Sequence, residues 1–270
     1  MGQDIGATVT GAIKLLFNDK LILLIAVTFA LISTAVNITI IKSINTTGVL
    51  SSALSLAINT IVAVIVLYLV QLFFVIMVFN RVYYGSKKDL GNLVNAAMNR
   101  YPTVLLLMIA LTAAFVIPLL VILALTAVAQ FFAILLLPYV VLLIFAIVML
   151  ALAMPIAVLD NKGVTASMRQ SWNSVKGNWW YVLLCFLLLG IITAIISFVI
   201  NIPITLQSLS NSLNATASNS TSPAALANNI RVDSSPYAII ATFASSILSF
   251  WSVILFPLLY KQLYKQKTAT

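Results

Sequence analysis

The sequence predicts an all-α integral membrane protein with six transmembrane helices. Of its 270 residues, 63% are hydrophobic and only 7% are charged, and the mean hydropathy is +1.16. A water-soluble fold of this length cannot bury so much apolar surface. In addition, long uncharged apolar runs alternate with short basic segments. This alternation indicates membrane-spanning helices separated by polar connections.

Six apolar runs reach the length of about 20 residues that a transmembrane helix needs. They cover residues 21–41, 53–80, 103–128, 131–159, 181–203 and 237–260. The third and fourth runs are joined without a charged residue, and we expect kinks or tilt where prolines occur in them, at Pro118, Pro138 and Pro155. Residues 1–270 are interpreted as a single six-span membrane domain, with the Ser- and Asn-rich segment 204–236 as a mobile exterior loop.

Basic residues fall almost entirely on one side of this arrangement. Twelve of the fourteen lysines and arginines lie in the terminal segments and in the connections after spans 2 and 4, and only Lys42 and Arg231 lie opposite. The positive-inside rule therefore predicts a multi-pass protein of the cell (cytoplasmic) membrane with both termini in the cytoplasm. We expect these cations to face a bilayer with anionic headgroups, and we expect no nucleic-acid partner, because the cations lie beside predicted spans.

Sequons of the form N-x-S/T lie in or beside the predicted exterior segments, and none lies in a cytoplasmic one. Three of them are candidate N-glycosylation sites: Asn45, Asn214 and Asn219. Chance is an equally good explanation, because segments rich in serine and threonine produce sequons without selection for them.

A threefold pattern runs along the chain. Each odd-numbered span is preceded by a short basic segment with helical periodicity, at residues 6–18, 90–100 and 165–176. We therefore predict that the six helices form three hairpins, each preceded by a short cytoplasmic interfacial helix. The alternative is that these segments are ordinary amphipathic connectors without a true repeat.

The third connector has helix signals at both ends. Thr165 is a candidate N-cap, and Gly177 suits the C-terminal stop. An anchor at the membrane surface is the simpler interpretation of this helix, and a docking surface is the alternative. Apolar residues at helical spacing fall on one face of the second and third connectors: Leu90, Val94 and Met98, and Met168, Trp172 and Val175.

A more specific motif extends over about 30 residues around this third connector. A span end with a proline is followed by a Ser-Trp helix, then by Lys-Gly and an aromatic pair. The residues in these places are Pro155, Ala166, Ser171, Trp172, Lys176, Gly177, Trp179 and Trp180. In this motif the chain resembles the membrane domain attached to some glycerophosphodiester phosphodiesterases, and YciC-like inner-membrane proteins, a multi-span group of poorly known function. Near Asp160 the family usually has a glutamate, and no phosphodiesterase segment is recognised here, so the resemblance carries over no catalytic role.

The residue inventory argues against catalysis and against ion-coupled transport. The chain has no histidine, no glutamate and one cysteine, and we predict no catalytic residue, no metal site and no cofactor. A metal-assisted site built from Asp19, Asp89 and Asp160 is the alternative. Because the predicted spans hold no charged side chain, they lack the usual group for coupling transport to an ion. We expect the amides of Asn59 and Gln71 to hydrogen-bond between helices.

A stripe of small residues in span 6 predicts a close helix–helix interface, either within the bundle or with another protein. Its members are Ala241, Ser245 and Ser249.

Together these features predict a non-enzymatic integral membrane protein that acts as a scaffold, assembly factor or partner subunit, with a protein partner or a second copy of itself. A passive or auxiliary transport component for a neutral or lipid-like substrate is the first alternative, and a membrane-embedded lipid enzyme is the second. A polar cavity at mid-membrane would favour transport, whereas aspartates clustered at the cytoplasmic face would favour an enzyme.

Overall fold

The computed structural model describes residues 5–46, 53–85, 89–217 and 236–268, and these ranges are almost entirely helical. The α-helices in chain order are α1 (Ile5–Asn18), α2 (Lys20–Thr46), α3 (Ala53–Tyr84), α4 (Leu90–Val128), α5 (Leu136–Leu150), α6 (Ala153–Leu159), α7 (Val164–Val175), α8 (Trp179–Ala217) and α9 (Pro236–Thr268). A 3-10 helix, Gln130–Leu135, follows α4 and leads directly into α5.

Six stretches of the described chain are long and apolar enough to cross a membrane. They are Lys20–Thr39, Thr60–Tyr84, Leu90–Val128, Gln130–Leu159, Trp179–Pro203 and Ile239–Leu263. Many of their large apolar side chains are exposed, which is the arrangement that lipid-facing helices require. The prediction of an all-α integral membrane protein with six spans is therefore confirmed.

The chain divides into two compact units. The first unit comprises Met1–Ile22, Leu72–Leu189 and Ser252–Thr270, and the second comprises Leu23–Gln71 and Gly190–Trp251. In the second unit the ring of Phe29 on α2 contacts that of Phe250 on α9, with centroids 5.2 Å apart.

In the first unit, an ion pair joins the start of α2 to the end of α3. Asp19 separates α1 from α2, and its Oδ1 accepts hydrogen bonds from the amides of Leu21 (3.0 Å) and Ile22 (3.4 Å). The Arg81 guanidinium donates to Oδ2 of the same carboxylate at 2.8 Å, and also to the Gly85 carbonyl at 3.1 Å. Gly85 has φ +64°, a conformation that a glycine adopts without strain. Asp19 therefore serves both as the N-cap of α2 and as the partner of Arg81.

The second connector does not form a helix of its own. Residues 90–100 are the first part of α4, which continues to Val128 with Pro102 inside it. A proline removes one backbone hydrogen bond but does not by itself end a helix whose neighbouring turns are held by packing. The prediction of three separate connector helices is wrong at this position, whereas the first and third connectors are separate helices, α1 and α7.

The predicted exterior loop also begins later than expected. Helix α8 continues to Ala217, so residues 204–217 are helical although serine, asparagine and threonine are weak helix formers. Extending an existing helix needs no new nucleus, which explains why the turns after the apolar span persist. The remainder of the predicted loop, residues 218–235, lies outside the described residues.

The prolines of spans 3 and 4 differ in their positions. Pro118 lies inside α4, whereas Pro138 and Pro155 lie in the first turns of α5 and α6. A proline is tolerated in a first turn because the amide it lacks has no partner within the helix there. The fourth span is built from a 3-10 helix and two α-helices, and its break between α5 and α6 lies just before Pro155, one of the prolines at which a kink or tilt was expected.

Asparagines in the spans bond within their own helices. The side-chain amides of Asn37, Asn80 and Asn201 each donate to the backbone carbonyl four residues earlier, at 2.9, 3.0 and 2.7 Å. The side chain of Asn59 lies outside the described residues, so its predicted bond to another helix stays a prediction.

Candidate functional site

The candidate site is helix α7 and the polar groups around it, all within the first unit. Helix α7 packs against α5 and α6, the two α-helices of the fourth span. The residues of α7 that are buried are spaced four apart, namely Ser167, Ser171 and Val175. Because serine is small, this face lets the backbone of α7 approach its neighbours closely.

The buried face differs from the apolar face that the sequence pattern identifies. Of Met168, Trp172 and Val175, only Val175 is fully buried, and Trp172 is 40% exposed. Within residues 90–100 of α4 the buried residues are Leu93 and Ala97, whereas Leu90 and Met98 of the sequence pattern are exposed. In a membrane protein apolar side chains face lipid as readily as protein, so hydropathy alone does not identify the packed face.

Ser171 contacts the break in the fourth span. The ring of Pro155 excludes the carbonyl of the residue four positions earlier, Ala151, which lies between α5 and α6. There the Ala151 amide donates to the Val148 carbonyl at 3.3 Å. In a continuous α-helix the Leu152 amide would donate to that carbonyl instead. Leu152 therefore needs another acceptor for its N–H.

The Ser171 hydroxyl supplies that acceptor. Its Oγ accepts from the Leu152 amide at 3.1 Å and donates to the Met149 carbonyl at 2.8 Å, and the side chain is fully buried. A buried amide without a partner is costly, so this serine stabilises the break. The position of Ser171 in the motif thus has a structural reason.

The ends of α7 differ from the sequence prediction. Gly163, not Thr165, is the N-cap, and it makes no side-chain cap bond. The Ser167 hydroxyl instead donates to the Lys162 carbonyl at 3.2 Å. At the other end Lys176 caps the helix, and its amide bonds the Trp172 carbonyl at 3.0 Å.

Aromatic residues connect both ends of the α7–α8 turn to α5. The Phe145 ring contacts Trp172 and Trp179, with centroid distances of 5.7 and 5.9 Å. Trp179 also contacts Trp180, which is 69% exposed. The buried indole N–H of Trp179 finds no hydrogen-bond partner within the described part of the chain. The tryptophans of the motif therefore pack on α5, and Trp180 reaches the surface.

Asp160 joins three elements of the first unit. Its Oδ1 accepts from the Tyr260 hydroxyl of α9 at 2.5 Å, and its Oδ2 accepts from the Gln170 amide of α7 at 3.0 Å. Lys162 Nζ donates to the other end of the Gln170 side chain at 2.5 Å. Both carboxylate oxygens are therefore engaged in holding α7 and α9 to the end of α6.

A second polar cluster joins α1, α8 and α9. The Tyr181 hydroxyl donates to Gln262 Oε1 at 2.6 Å, and Thr8 Oγ1 lies 2.8 Å from the Tyr181 hydroxyl oxygen. Sequence reasoning missed Thr8, Tyr260 and Gln262. The only signal for them was their position near the ends of apolar runs, which many polar residues share.

The aspartates are held by separate contacts. Asp19 pairs with Arg81, Asp160 bonds Tyr260 and Gln170, and Asp89 is the exposed N-cap residue of α4. Within the described ranges no group of three or more His, Cys, Asp or Glu side chains could hold a metal ion.

The outward side of α7 lines a surface cavity of about 500 Å³. Five of its seven lining residues carry polar or charged side chains, and Lys162 and Arg169 are cationic. The full lining consists of Lys162, Gly163, Ala166, Arg169, Gln170, Asn173 and Ser174. We call this the α7 outer face. Its chemistry suits an anionic or hydrogen-bonding group.

The remaining predicted positions lie elsewhere. In the second unit Ala241 is buried, and the neighbouring Ser246 hydroxyl lies 3.1 Å from that of Ser33 on α2; Ser245 and Ser249 are half-buried on the same helix. Gly177 lies in the turn after α7 with space around it. The side chains of Asn45 and Asn214, and all of Asn219, lie outside the described residues, so their glycosylation stays a prediction.

Comparison with known families decides the identity of the chain. Residues 103–270 match the family described as the membrane domain of glycerophosphoryl diester phosphodiesterase. The chain belongs to this family. No curated protein and no solved structure matches it.

The match to this membrane-domain family covers α7 and every residue of the predicted motif. It extends from the third span through α9, so the break that Ser171 stabilises and the Asp160 contacts both lie inside it. The suspected relationship to this family is therefore confirmed.

Proposed function

We propose that this chain is a non-enzymatic scaffold or partner subunit of the cytoplasmic membrane, and that the α7 outer face binds a partner protein. The observation that carries the proposal is that the two faces of α7 differ, one bonded to the protein and the other lining a surface cavity. Its buried face, centred on Ser171, is bonded to the break in the fourth span. Its opposite face presents Arg169 and Asn173 around a polar cavity. A helix held rigidly in this way is pre-organised for docking.

The contacts of the carboxylates support a non-enzymatic role. Asp19 and Asp160 each bond side chains from other helices, so both contribute to holding the helices together. A general acid or base would need a side chain positioned towards a substrate. The aspartates thus support an architectural role in place of the lipid-enzyme alternative.

The distribution of charge supports the proposed orientation. The cations of the predicted cytoplasmic segments that are described all lie in the first unit, namely Lys14, Lys20, Arg81, Arg100, Lys162, Arg169, Lys176, Lys261, Lys265 and Lys267. We expect this unit to face the anionic headgroups of the cytoplasmic leaflet. The α7 outer face would then be accessible to proteins at that surface.

Photocrosslinking in intact membranes tests the proposal. A photoreactive amino acid at Arg169 or Asn173 should give one discrete protein adduct. The same group at Leu106, which is 59% exposed on α4, should give lipid adducts. The charge reversal Arg169→Glu, combined with the probe at Asn173, should reduce the protein adduct about tenfold while leaving thermal unfolding unchanged.

Two results would contradict the proposal. One is the absence of any protein adduct from both α7 positions. The other is an adduct that forms equally well with Arg169→Glu, since that would show that the α7 outer face does not select the partner.

A further inference from the structure

A second cavity, chemically unlike the first, lies among the membrane-spanning helices of the first unit. It has a volume of about 460 Å³ and is partly open to its surroundings. Every residue that lines it is apolar, and α4, α5, α6, α8 and α9 all contribute. Its α4 wall is formed by Met108, Leu111 and Phe115, and Phe186 and Phe256 lie on α8 and α9. We call it the apolar cavity.

Hydrocarbon is the medium at the mouth of this cavity. Ile109 and Ile117, on the same stretch of α4, are 56% and 59% exposed within a span that is long and apolar enough to cross the bilayer. Water is not stable in an apolar cavity, and an engineered apolar cavity of about 150 Å³ already binds benzene. The apolar cavity is about three times that size, so it can hold a considerably longer hydrocarbon group.

Arg100 carries a positive charge about two helical turns before Met108, the first α4 residue that lines the apolar cavity. On a helix of 3.6 residues per turn, Arg100 lies on the same stripe of α4 as Leu93, Leu107 and Leu111. Leu93 and Leu107 are fully buried, so this stripe faces the protein. The Arg100 side chain is half-buried and makes no hydrogen bond or ion pair with any residue that the structure describes.

The spacing along α4 matches one leaflet of a bilayer. At a rise of 1.5 Å per residue, Met108 and Phe115 lie about 12 and 22 Å from Arg100 along the helix axis. One leaflet, counted from the headgroup region to the midplane, is about 20–22 Å thick. A lipid with its phosphate at Arg100 therefore has its acyl chains at the depth of the apolar cavity.

From this geometry we propose that the apolar cavity binds one acyl chain of an anionic phospholipid, whose phosphate pairs with Arg100. The guanidinium can donate two parallel hydrogen bonds to the phosphate oxygens, and the chain fills a space that lipid surrounds. The site lies apart from the α7 outer face and does not depend on a partner protein. Binding by the purified protein alone therefore tests it separately from the scaffold proposal.

Native mass spectrometry of the detergent-purified protein, titrated with dioleoyl phosphatidylglycerol, provides the test. The wild type should bind one phospholipid more tightly than any further ones. Met108→Trp, which fills the cavity, should weaken this binding about tenfold or more, whereas the adjacent, lipid-facing Ile109→Trp should leave it within about twofold. Arg100→Gln should also weaken phospholipid binding about tenfold. Arg100→Lys should weaken it less, because lysine keeps the positive charge but lacks the planar guanidinium that donates two parallel hydrogen bonds.

The controls distinguish the lipid source and the fold of the variants. Dioleoylglycerol has the same two chains without the phosphate and carries no charge, and we expect it to bind more weakly than the phospholipid and to be insensitive to Arg100→Gln. If Met108→Trp does not elute as a single folded species, Leu111→Phe replaces it with the same expected loss. Equal phospholipid binding by Met108→Trp and Ile109→Trp would overturn the proposal. No preferred phospholipid on the wild type, or tighter binding of dioleoylglycerol, would also overturn it.

Discussion

At the scale of single residues, the structure gives several polar side chains roles that depend on a distant part of the backbone. Ser171 satisfies two backbone groups at the break in the fourth span. Asp19 caps α2 and pairs with Arg81, 62 positions later. In both cases a short, polar side chain compensates for backbone groups or a charge that would otherwise be unsatisfied at a buried or half-buried position.

Replacing Ser171 with alanine should destabilise the protein by about 1–3 kcal/mol, because the buried Leu152 amide loses its acceptor. The matched control is Ser174→Ala, which removes the hydroxyl of a half-exposed serine on the same helix and should change stability by less than about 0.5 kcal/mol. Equilibrium unfolding in mixed micelles measures both. Equal losses would show that the hydroxyl of Ser171 contributes nothing specific.

The Asp19–Arg81 pair should make stability depend on pH in the acid range. Burial alone would raise the pKa of Asp19, but the hydrogen bond and charge of Arg81 and the amides of Leu21 and Ile22 lower it below the ordinary value of an aspartate. A depressed pKa means that the stabilisation is complete above the unfolded-state value and is lost as the pH falls through the folded-state value.

Asp19→Asn should therefore lower stability by about 1–3 kcal/mol at pH about 7, where the carboxylate is charged. The difference from wild type should shrink as the pH falls below about 4. Unfolding measured across the acid range checks this, with Asp89→Asn as the control, because Asp89 is exposed and makes no side-chain cap bond. A difference that is independent of pH would exclude the ion pair as its cause.

At the scale of elements, helix boundaries depend on contacts with neighbouring helices as much as on local signals. Asp89 precedes α4 as its N-cap residue, and the helix then passes through Pro102 and Pro118. In the fourth span, by contrast, Pro155 accompanies a break between α5 and α6. The difference arises from the neighbours, because a serine on α7 is placed to accept the amide that the break releases.

The continuity of α4 predicts a spin-label distance. In a Cys185→Ala background, labels at Asn92→Cys and Thr112→Cys are 20 residues apart, or about 30 Å along an unbroken helix. A connector lying in the membrane plane at right angles to the span would place them about 20 Å apart. Pulsed electron resonance in nanodiscs distinguishes the two, and the shorter distance would contradict the continuous helix.

At the scale of the whole molecule, the described cations of the predicted cytoplasmic segments all belong to the first unit. That unit also holds α7, the ion pair of Asp19 and both cavities. The second unit contains the serine contact between α2 and α9. We interpret the first unit as the one that carries the interactions with lipid headgroups and partners.

The orientation of the six spans is tested by reporter fusions. A reporter joined after Lys267 should give a cytoplasmic signal, and one inserted after Thr216 should give an exterior signal, because the positive-inside rule keeps the basic segments in the cytoplasm. A fusion after Arg100 serves as an internal cytoplasmic control. An exterior signal at Lys267, or a cytoplasmic one at Thr216, would reverse or break the six-span topology.

The sequence by itself determined the fold class and the number of spans. Both depend on hydropathy summed over about 20 consecutive residues, which is a local property of the chain. It also located the motif of Ser171 and Trp172, within the region that the family match covers. Local signals were enough for α7 because Gly163 and Lys162 precede it in a polar turn and Gly177 follows it.

Only the tertiary structure decided which faces are buried and what the polar residues contact. The partner of Ser171 lies 19 positions away and that of Asp160 lies 100 positions away, so no local pattern encodes either contact. The buried face of α7 carries Ser167 and Ser171, whereas Trp172 of the apolar sequence pattern is 40% exposed. The physical reason is that the bilayer accepts apolar side chains as readily as a protein core does, so that burial within the protein is selected by close packing and by satisfied hydrogen bonds.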